Sequence, residues 1–235
     1  MQLNAPDRYR TATEIDAIAD LLDLRGARVL ELGCGTAHTT RALVEQLGAA
    51  DVVATEVDRV QHRQNLAVDD LPQVRFVLGA AEAIDAPDAS FDAVCMFKSL
   101  HHVPVAAMDQ ALAEIHRVLQ PGGAALFSEP VYSGAFNDLM ALIHDERAVR
   151  EAAFEALRHA VAAGLFRSEA EVFIEVPGTY PDWASFAERF LEVTHTALDV
   201  DHQRRAQIRA AFEAHLTPTG AHFMKPHRLD LLRKA

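Results

Sequence analysis

The chain alternates short apolar runs with segments whose apolar residues recur at helical spacing. Five apolar runs lie in the first 130 residues, at 28–32, 51–55, 74–78, 91–97 and 124–128. They are apolar almost throughout instead of alternating with polar residues, which is typical of parallel strands covered by helices on both faces. Helical periodicity between them predicts helices at 39–47, 58–70 and 105–119. This rhythm predicts an α/β fold with a Rossmann-like, doubly wound, mostly parallel sheet.

The rhythm changes after Glu129. Residues 137–163 have a helical pattern that is too long for an ordinary connection, and it predicts an inserted helical cap. The remaining segments are predicted as strands at 171–176 and 227–232 and helices at 182–197 and 202–216. Together they predict a seven-stranded sheet in a single domain, 1–235. Within it we expect a cofactor-binding core at 25–130 and, at about 132–220, a substrate-selecting cap with late strands.

Composition and charge narrow the classes of partner. The formal net charge of −12 argues against nucleic acid, because phosphate backbones require a basic surface. The chain contains no run near the roughly 18 apolar residues of a membrane span, and its first residues are polar. Its two cysteines, Cys34 and Cys95, fall in predicted strands or strand ends, so a disulfide framework is not expected. We therefore expect a cytoplasmic protein with a small-molecule substrate, and the oligomeric state stays open.

The strongest chemical signal is the segment Val29–His38, which reads VLELGCGTAH. Gly33 and Gly35 follow an apolar strand, where glycine lets the backbone turn and lets a ligand approach closely. Glu56 ends the next strand about 20 residues later, where a carboxylate can accept hydrogen bonds from ribose hydroxyls. The alternative is that Glu56 is a solvated strand-end acid. A dinucleotide fingerprint requires a third glycine at His38, so the spacing fits a nicotinamide cofactor less well.

Several segments then match one family in order and spacing. Besides the glycine segment they are 79–84, 90–94, 100–103 and 114–123. Over roughly residues 25–130 the chain resembles class I S-adenosylmethionine-dependent methyltransferases, and most of all the small-molecule group that includes ubiquinone and menaquinone methyltransferases. The resemblance implies S-adenosylmethionine as cofactor.

The resemblance also implies a role for each matching residue. Those at the methionine end are Glu31, Gly33, Cys34 and Gly35; Glu56 holds the ribose, Ala81 and Glu82 border the adenine, and Phe97 and Lys98 lie beside the sulfonium and ribose. Three positions depart from the family pattern. Ala37 replaces a frequent glycine, Ala80 replaces an aspartate that commonly reaches the adenine amino group, and Lys98 is an unusual charge.

The candidate catalytic residues are His101, His102 and Glu129. Both histidines follow the fourth strand, where a general base is useful if the acceptor loses a proton during attack. A structural or cofactor-shell role for the histidines is the alternative. No metal site is expected, because two adjacent histidines without a third placed ligand do not bind a metal.

Glu129 ends the fifth strand, beside the end of the fourth. We predict that Lys98 and Glu129 face each other across the substrate mouth, where they pair or where Lys98 receives an acidic substrate group. A partly exposed ion pair of little energetic weight is the alternative.

Other side chains are candidates for the pocket wall. These are Tyr132, His144, Trp183 and His195, each with simple packing as the alternative. Residues 8–10 are predicted to fold over the cofactor as a lid, with disorder as the alternative.

These inferences predict S-adenosylmethionine-dependent methyl transfer to a small organic acceptor, with S-adenosylhomocysteine as product. Two alternatives stay open. One is a nicotinamide-dependent oxidoreductase, and the other is a methyltransferase-like module that binds cofactor without turnover. The sequence names neither the substrate nor the acceptor atom.

Overall fold

The structure, a computed structural model, describes residues 1–192 and 200–235. Its strands are β1 (Arg10–Thr11), β2 (Arg28–Leu32), β3 (Asp51–Glu56), β4 (Val74–Leu78), β5 (Phe91–Phe97), β6 (Leu119–Pro130), β7 (Phe166–Tyr180), β8 (Leu216–Thr217) and β9 (Gly220–Lys234). Its helices are α1 (Glu14–Leu21), α2 (His38–Glu45), α3 (Arg59–Asn65), α4 (Met108–Val118), α5 (Ala135–Ala141), α6 (Arg147–Ala162), α7 (Trp183–Leu191) and α8 (His202–Glu213). Two 3-10 turns, at Leu100–His102 and Val105–Ala107, precede α4.

The strands form one sheet in the order β1-β7-β9-β6-β5-β2-β3-β4, with β8 paired to β9. Neighbouring strands are parallel except around β9, which runs antiparallel to β6, β7 and β8. Helices cover both faces, so the predicted doubly wound, mostly parallel sheet is confirmed. The seven predicted strands correspond to the seven long ones, and the two-residue strands β1 and β8 are additional.

The late strands are much longer than their predicted cores at 171–176 and 227–232. Strands β7 and β9 pair from Phe166↔Lys234 to Tyr180↔Ala221. The extra length contains polar residues between the apolar ones, as in the segment 167–171, and these hide a strand from a search for apolar runs.

The predicted single helical segment 137–163 is two helices with different surroundings. Asp145 interrupts it by accepting a hydrogen bond from the Arg147 backbone N–H at 3.0 Å, and α6 begins there. Helix α6 buries Ala153 and Leu157 in the same apolar core as α4, so it belongs to the helix layer on the sheet. Only α5 belongs to the cap, together with α7 and α8.

Three apolar clusters organise the molecule. Two lie on opposite faces of the sheet, one beneath α4 and α6 and the other beneath α1 and α2. The third joins α5, α7 and α8, the helices that we call the cap, to the ends of β7 and β9. It is rich in aromatic residues, and Phe186 and Phe212 at its centre are fully buried. None of the described helices is long and apolar enough to cross a membrane.

The N-terminal segment lies against the sheet edge. Arg8 donates to the Glu171 carboxylate at 3.1 Å, and the Tyr9 ring packs edge-on against Phe173 of β7. The prediction that residues 8–10 form a lid is therefore wrong. Helix α1 starts after Thr13, whose hydroxyl accepts from the Asp16 N–H, and its first turn reaches the carboxyl ends of the central strands.

Candidate functional site

The glycine loop between β2 and α2 requires left-handed backbone at two positions. Gly33 has φ 77° and Gly35 has φ 51°. A Cβ on Gly33 would lie 2.7 Å from Ser99 Cβ, so the loop after β5 packs directly on it. At Gly35 a Cβ would meet no atom within 4 Å, so this backbone faces open space that a ligand can enter.

Ala37, the departure from the family glycine, also has left-handed backbone, with φ 61°. It precedes α2 and makes no side-chain cap hydrogen bond. Alanine has the smallest side chain after glycine, and the loop has left-handed backbone at this position with alanine in place.

Glu56 at the end of β3 closes the loop from the opposite side. Its Oε2 accepts from the Gly35 N–H at 2.9 Å, and its Oε1 accepts from the N–H groups of Val57 and Asp58 at 2.8 and 2.9 Å. The side chain is thus held in place, and Oε2 retains a lone pair for a further donor. This contradicts a merely solvated strand-end acid.

Asn65 stabilises the loop from α3, and no local sequence motif marks it as a site residue. Its amide donates to the Gly35 carbonyl at 2.8 Å and to Cys34 Sγ at 3.4 Å. Cys34 lies within the loop, and burial, with the nearby charges of Glu31 and Glu56, raises the pKa of its thiol to about 12. Cys34 is therefore a neutral wall residue and not a nucleophile.

Glu31 lies inside β2, two residues before Gly33, and only 1% of its surface is exposed. Its Oε2 has no hydrogen-bond partner among the described residues. Burial raises the pKa of this carboxyl to about 7. The Thr40 hydroxyl and the Lys98 charge act against this rise without cancelling it. An ionised carboxylate with one buried oxygen unsatisfied is costly, so this position favours a cationic ligand group that completes it.

The predicted adenine border is partly built. Ala81 is buried in the sheet core, while Glu82 is half-buried and its backbone carbonyl accepts from the Gln110 side chain at 2.9 Å. Phe97, at the end of β5, is buried in the core beneath α1 and α2.

Lys98 does not face Glu129, so the predicted pairing across the substrate mouth is wrong. The Lys98 ammonium pairs with Glu14 from the first turn of α1, and the Ser128 hydroxyl donates to the same carboxylate at 2.5 Å. Ser128 and Glu129 are consecutive in β6, so their side chains leave the strand on opposite faces. Lys98 pairs on the Ser128 face.

Glu129 pairs instead with His101. The Glu129 carboxylate is buried, and its Oε2 forms a hydrogen bond with His101 Nδ1. Its Oε1 accepts a hydrogen bond from the Leu100 N–H at 2.9 Å. Burial alone would raise the pKa of Glu129, but the His101 charge and these hydrogen bonds outweigh it, so its pKa is lowered. The pair leaves His101 Nε2 directed away from Glu129 and toward Glu146, 3.9 Å distant.

His102 stacks beside His101, with ring centroids 4.1 Å apart, and is exposed at the surface. The contact with the buried His101 ring shields part of the His102 ring from water, and this partial desolvation, together with the charge of His101, lowers the pKa of His102. Candidate ligand atoms of His101, His102 and Glu146 lie within 4.8 Å of one another, so the third group that the sequence lacked is present. Arg150 also binds Glu146, at 2.5 Å, and its positive charge opposes a cation there.

The predicted pocket-wall residues have different surroundings. The Arg147 guanidinium lies 4.4 Å from the centre of the Tyr132 ring, and His144 is exposed. Trp183 packs within the aromatic cluster of the cap, 5.9 Å from the Phe186 ring. His195 lies outside the described residues.

Comparisons with known proteins agree with this geometry. A family model described as a methyltransferase domain matches residues 29–123. The 27-O-demethylrifamycin SV methyltransferase of Amycolatopsis mediterranei is 32% identical over 211 residues, which cover 82% of this chain and 72% of that protein. This chain belongs to the class I S-adenosylmethionine-dependent methyltransferases.

Two further relatives define how far the likeness extends. An uncharacterized methyltransferase of Mycobacterium tuberculosis is 40% identical over 121 residues, 52% of this chain and 47% of that protein. The chain thus spans about half the length of several curated relatives that it matches. The crystal structure of the YcgJ protein from Bacillus subtilis superposes with a TM-score of 0.64 over 94% of this chain and 97% of that one, at 21% identity, which supports the fold.

The residues of this methyltransferase fit the family cofactor at two places. The unpartnered oxygen of Glu31 suits an ammonium group, and the open space at Gly35 suits close approach of a ligand to the backbone. The predicted residues of the glycine loop, β3 and β5 therefore lie together at the carboxyl ends of these parallel strands. It adds Glu14, Asn65 and Glu146, which no local motif identifies.

Proposed function

We propose that this methyltransferase transfers a methyl group from S-adenosylmethionine to a small organic acceptor and releases S-adenosylhomocysteine. The observation that carries the proposal is the buried Glu31 carboxylate, whose Oε2 has no hydrogen-bond partner in the part of the chain that the structure describes, beneath a glycine loop that is open at Gly35. A cofactor whose amino acid end carries an ammonium group can pair with the Glu31 carboxylate and occupy the open space at Gly35. Glu56, already anchored through Gly35, is available for the ribose.

The remaining cofactor contacts follow from position in the fold. In this proposal Ala81 and Glu82 border the adenine, and Phe97 with Lys98 lies beside the ribose and the reacting centre. S-adenosylmethionine supplies a methyl group that is already activated on a sulfonium. The protein's task is then to hold the acceptor behind that methyl group and to exclude water.

His101 and Glu129 are proposed to accept the acceptor's proton. Glu129 orients the ring through Nδ1, which leaves Nε2 as the proton acceptor. Glu146 lies on the Nε2 side, so its negative charge stabilises the ring after protonation. His102, exposed and with a lowered pKa, is assigned a place in the wall beside the base.

The acceptor is proposed to be a small molecule. The net charge of −12 disfavours a nucleic acid backbone, and the cap is compact and aromatic. The Amycolatopsis relative is named for 27-O-demethylrifamycin SV, so its missing methyl group belongs on an oxygen. Since that protein shares most of its length with this chain, a hydroxyl acceptor fits the His101 base.

Thermal unfolding with S-adenosylhomocysteine, and separately with NAD, tests the cofactor. A ligand at about 100 times its Kd stabilises the folded state by about 2.7 kcal/mol, which for this size raises Tm by about 5–10 °C. We expect that rise with S-adenosylhomocysteine and none with NAD. A rise with NAD alone would refute the proposal and favour an oxidoreductase.

Turnover tests the base. S-adenosylhomocysteine release is measured over a panel of hydroxylated metabolites, with His101→Gln and Glu129→Gln as variants. We expect turnover to fall by about 10²-fold or more in each, with unchanged S-adenosylhomocysteine affinity. Equal turnover in wild type and His101→Gln contradicts the base, and a wild type that binds cofactor but releases no product from any acceptor indicates a binding module.

A further inference from the structure

On the face of the sheet that carries Ser128, Lys225 of β9 lies between the core beneath α1 and α2, which contains Leu229, and the cap cluster, which contains Phe223; we call this region, between α1 and the cap, the gap. Its floor is β9, where Phe223, Lys225 and His227 point to the same face because side chains alternate along a strand. Glu14 and Lys98 lie on one side of the gap, and α5 and α7 lie on the other. Lys98, at the end of β5 and next to the proposed cofactor site, carries one of the charges that act on Lys225.

The side chain of Lys225 lies between Phe136 of α5 and Gly178 of β7. Its ammonium is 5.6 Å from the centre of the Phe136 ring on α5. Its outer end also rests on Gly178 of β7, where a Cβ would come within 2.9 Å of Lys225 Cε and 3.0 Å of Nζ. Because Gly178 has no side chain, there is room for the Lys225 amine beside it.

Lys225 has no anionic partner among residues 1–192 and 200–235, since no carboxylate of these ranges lies within salt-bridge distance of its Nζ. The carboxylate near it, Glu14, is already taken by Lys98 and Ser128. Burial and the positive charges of Arg189 and Lys98 lower the pKa of Lys225. An unpaired, half-buried ammonium near other cations is unfavourable until an anion binds.

Aromatic surface adjoins this cation. Phe136 packs edge-on against Phe190 of α7, with ring centroids 5.8 Å apart, and both side chains are half-buried. Arg189 lies 5.7 Å from the centre of the Phe190 ring at the far side. The gap thus presents two half-exposed rings flanked by two cations, in a protein whose net charge is −12.

We propose that this gap binds the acceptor through a carboxylate that pairs with Lys225, while an apolar part of the molecule packs on Phe136 and Phe190. The inference rests on the proposed function, and it adds the class of acceptor: an amphipathic organic acid. A lysine suits this role because its ammonium is a mobile point charge that can follow a ligand. Lys98 is paired with Glu14, so we assign it to the cofactor site and not to the acceptor carboxylate.

Isothermal titration with decanoate, and with decanamide as its uncharged counterpart of equal chain length, tests the inference on the whole protein. We expect wild type to bind decanoate about tenfold or more tightly than decanamide, because only the acid forms a charge-assisted hydrogen bond. In Lys225→Met this preference should disappear, and in Lys225→Arg it should persist.

Two more variants separate position from charge. Gly178→Ala keeps every charge but displaces the end of Lys225, so decanoate should bind more weakly than in wild type. Arg209→Met removes an exposed cation of α8 that pairs with Glu213, and it should leave decanoate binding unchanged. Equal affinity of wild type for the acid and the amide, equal decanoate affinity of wild type and Lys225→Met, or no saturable decanoate binding overturns the inference.

Titration of the same proteins with S-adenosylhomocysteine keeps the two proposals distinguishable. All these variants should bind it as wild type does, since none lies in the glycine loop. If wild type fails to bind S-adenosylhomocysteine, the proposed function fails, whereas the decanoate series still decides the carboxylate site. If S-adenosylhomocysteine binds and decanoate shows no dependence on Lys225, the carboxylate site alone is rejected.

Discussion

Replacing Glu31 by glutamine should make the ligand-free protein more stable at alkaline pH while weakening cofactor binding. Glu31 is fully buried in β2 and has a carboxylate oxygen without a partner. Burial raises its pKa from 4.5 to about 7, so at pH 8 the folded protein holds an ionised carboxylate that water no longer solvates. Glutamine has the same shape without the charge, and the Thr40 hydroxyl, which acts on the Glu31 carboxyl, is near enough to interact with its amide.

The magnitude follows from proton linkage. Between pH 5 and pH 8 the folded Glu31 binds more protons than the unfolded one, so the stability of wild type falls as pH rises through this range. With pKa values of 4.5 and about 7, the loss between these two pH values is about 2–3 kcal/mol. Glu31→Gln does not titrate there, so its stability relative to wild type should rise by that amount.

Urea unfolding of both proteins at pH 5 and pH 8, without cofactor, measures this change. Other titrating groups are common to the two proteins and cancel in the difference between them. Glu151→Gln, at an exposed position on α6, is the matched control and should track wild type at both pH values. A difference between Glu31→Gln and wild type that is the same at pH 5 and pH 8 would refute the reasoning.

Binding should respond in the opposite direction. If Glu31 meets the ammonium group of the cofactor, its loss removes a charge-assisted hydrogen bond, so S-adenosylhomocysteine affinity at pH 8 should fall about tenfold or more. Wild-type affinity should also fall below about pH 7, where Glu31 takes up a proton. A variant that is both more stable and equally tight in binding would remove Glu31 from the cofactor site.

Three further substitutions test the loop. Gly33→Ala should destabilise the fold by about 2 kcal/mol or more in urea unfolding, because its Cβ would lie 2.7 Å from Ser99 Cβ on a left-handed backbone. The Cβ of Gly35→Ala meets open space, so this variant should lose mainly S-adenosylhomocysteine affinity. Equal unfolding free energies for the two glycine variants would contradict this reasoning. Asn65→Ala should destabilise by about 1–3 kcal/mol, because the partly buried Gly35 carbonyl loses its amide donor, and unfolding unchanged from wild type would show that water replaces the amide.

Sequence patterns predict well where the signal is local. The five early strands follow from continuous apolar runs, and their predicted bounds differ from the observed ones chiefly at β6, which starts at Leu119 instead of 124. The site residues on β2, β3 and β5 follow because parallel strands end at one edge. Local signals fail where polar residues interrupt an element, as at Asp145, which separates α5 from α6.

Contacts between distant segments carry no local signal. Glu14 reaches Lys98 across 84 positions, and Asn65 reaches the Gly35 carbonyl across 30. Each of these polar residues reads in the sequence as an ordinary helix residue. The error of pairing Lys98 with Glu129 has the same origin, since adjacent strand ends were predicted correctly but the face on which each side chain emerges was not.

That division into faces limits which acids can react. Ser128 and Glu129 send their side chains to opposite faces of β6, so the proposed carboxylate site lies on one face and the His101 base on the other, with the end of β5 between them. Strand β6 separates β9 from β5, and Lys225 lies four residues along β9 from Leu229, which is level with the end of β5 through Ser128, so two strand spacings across and four residues along place the Lys225 backbone on the order of 15 Å from that end. An acid held at Lys225 reaches the base only if its nucleophilic atom lies about that far from its carboxylate. In a series of ω-hydroxy acids assayed by S-adenosylhomocysteine release, we expect short members to bind without turnover and longer ones to react. Fastest turnover by the shortest member would separate the carboxylate site from the path of methyl transfer.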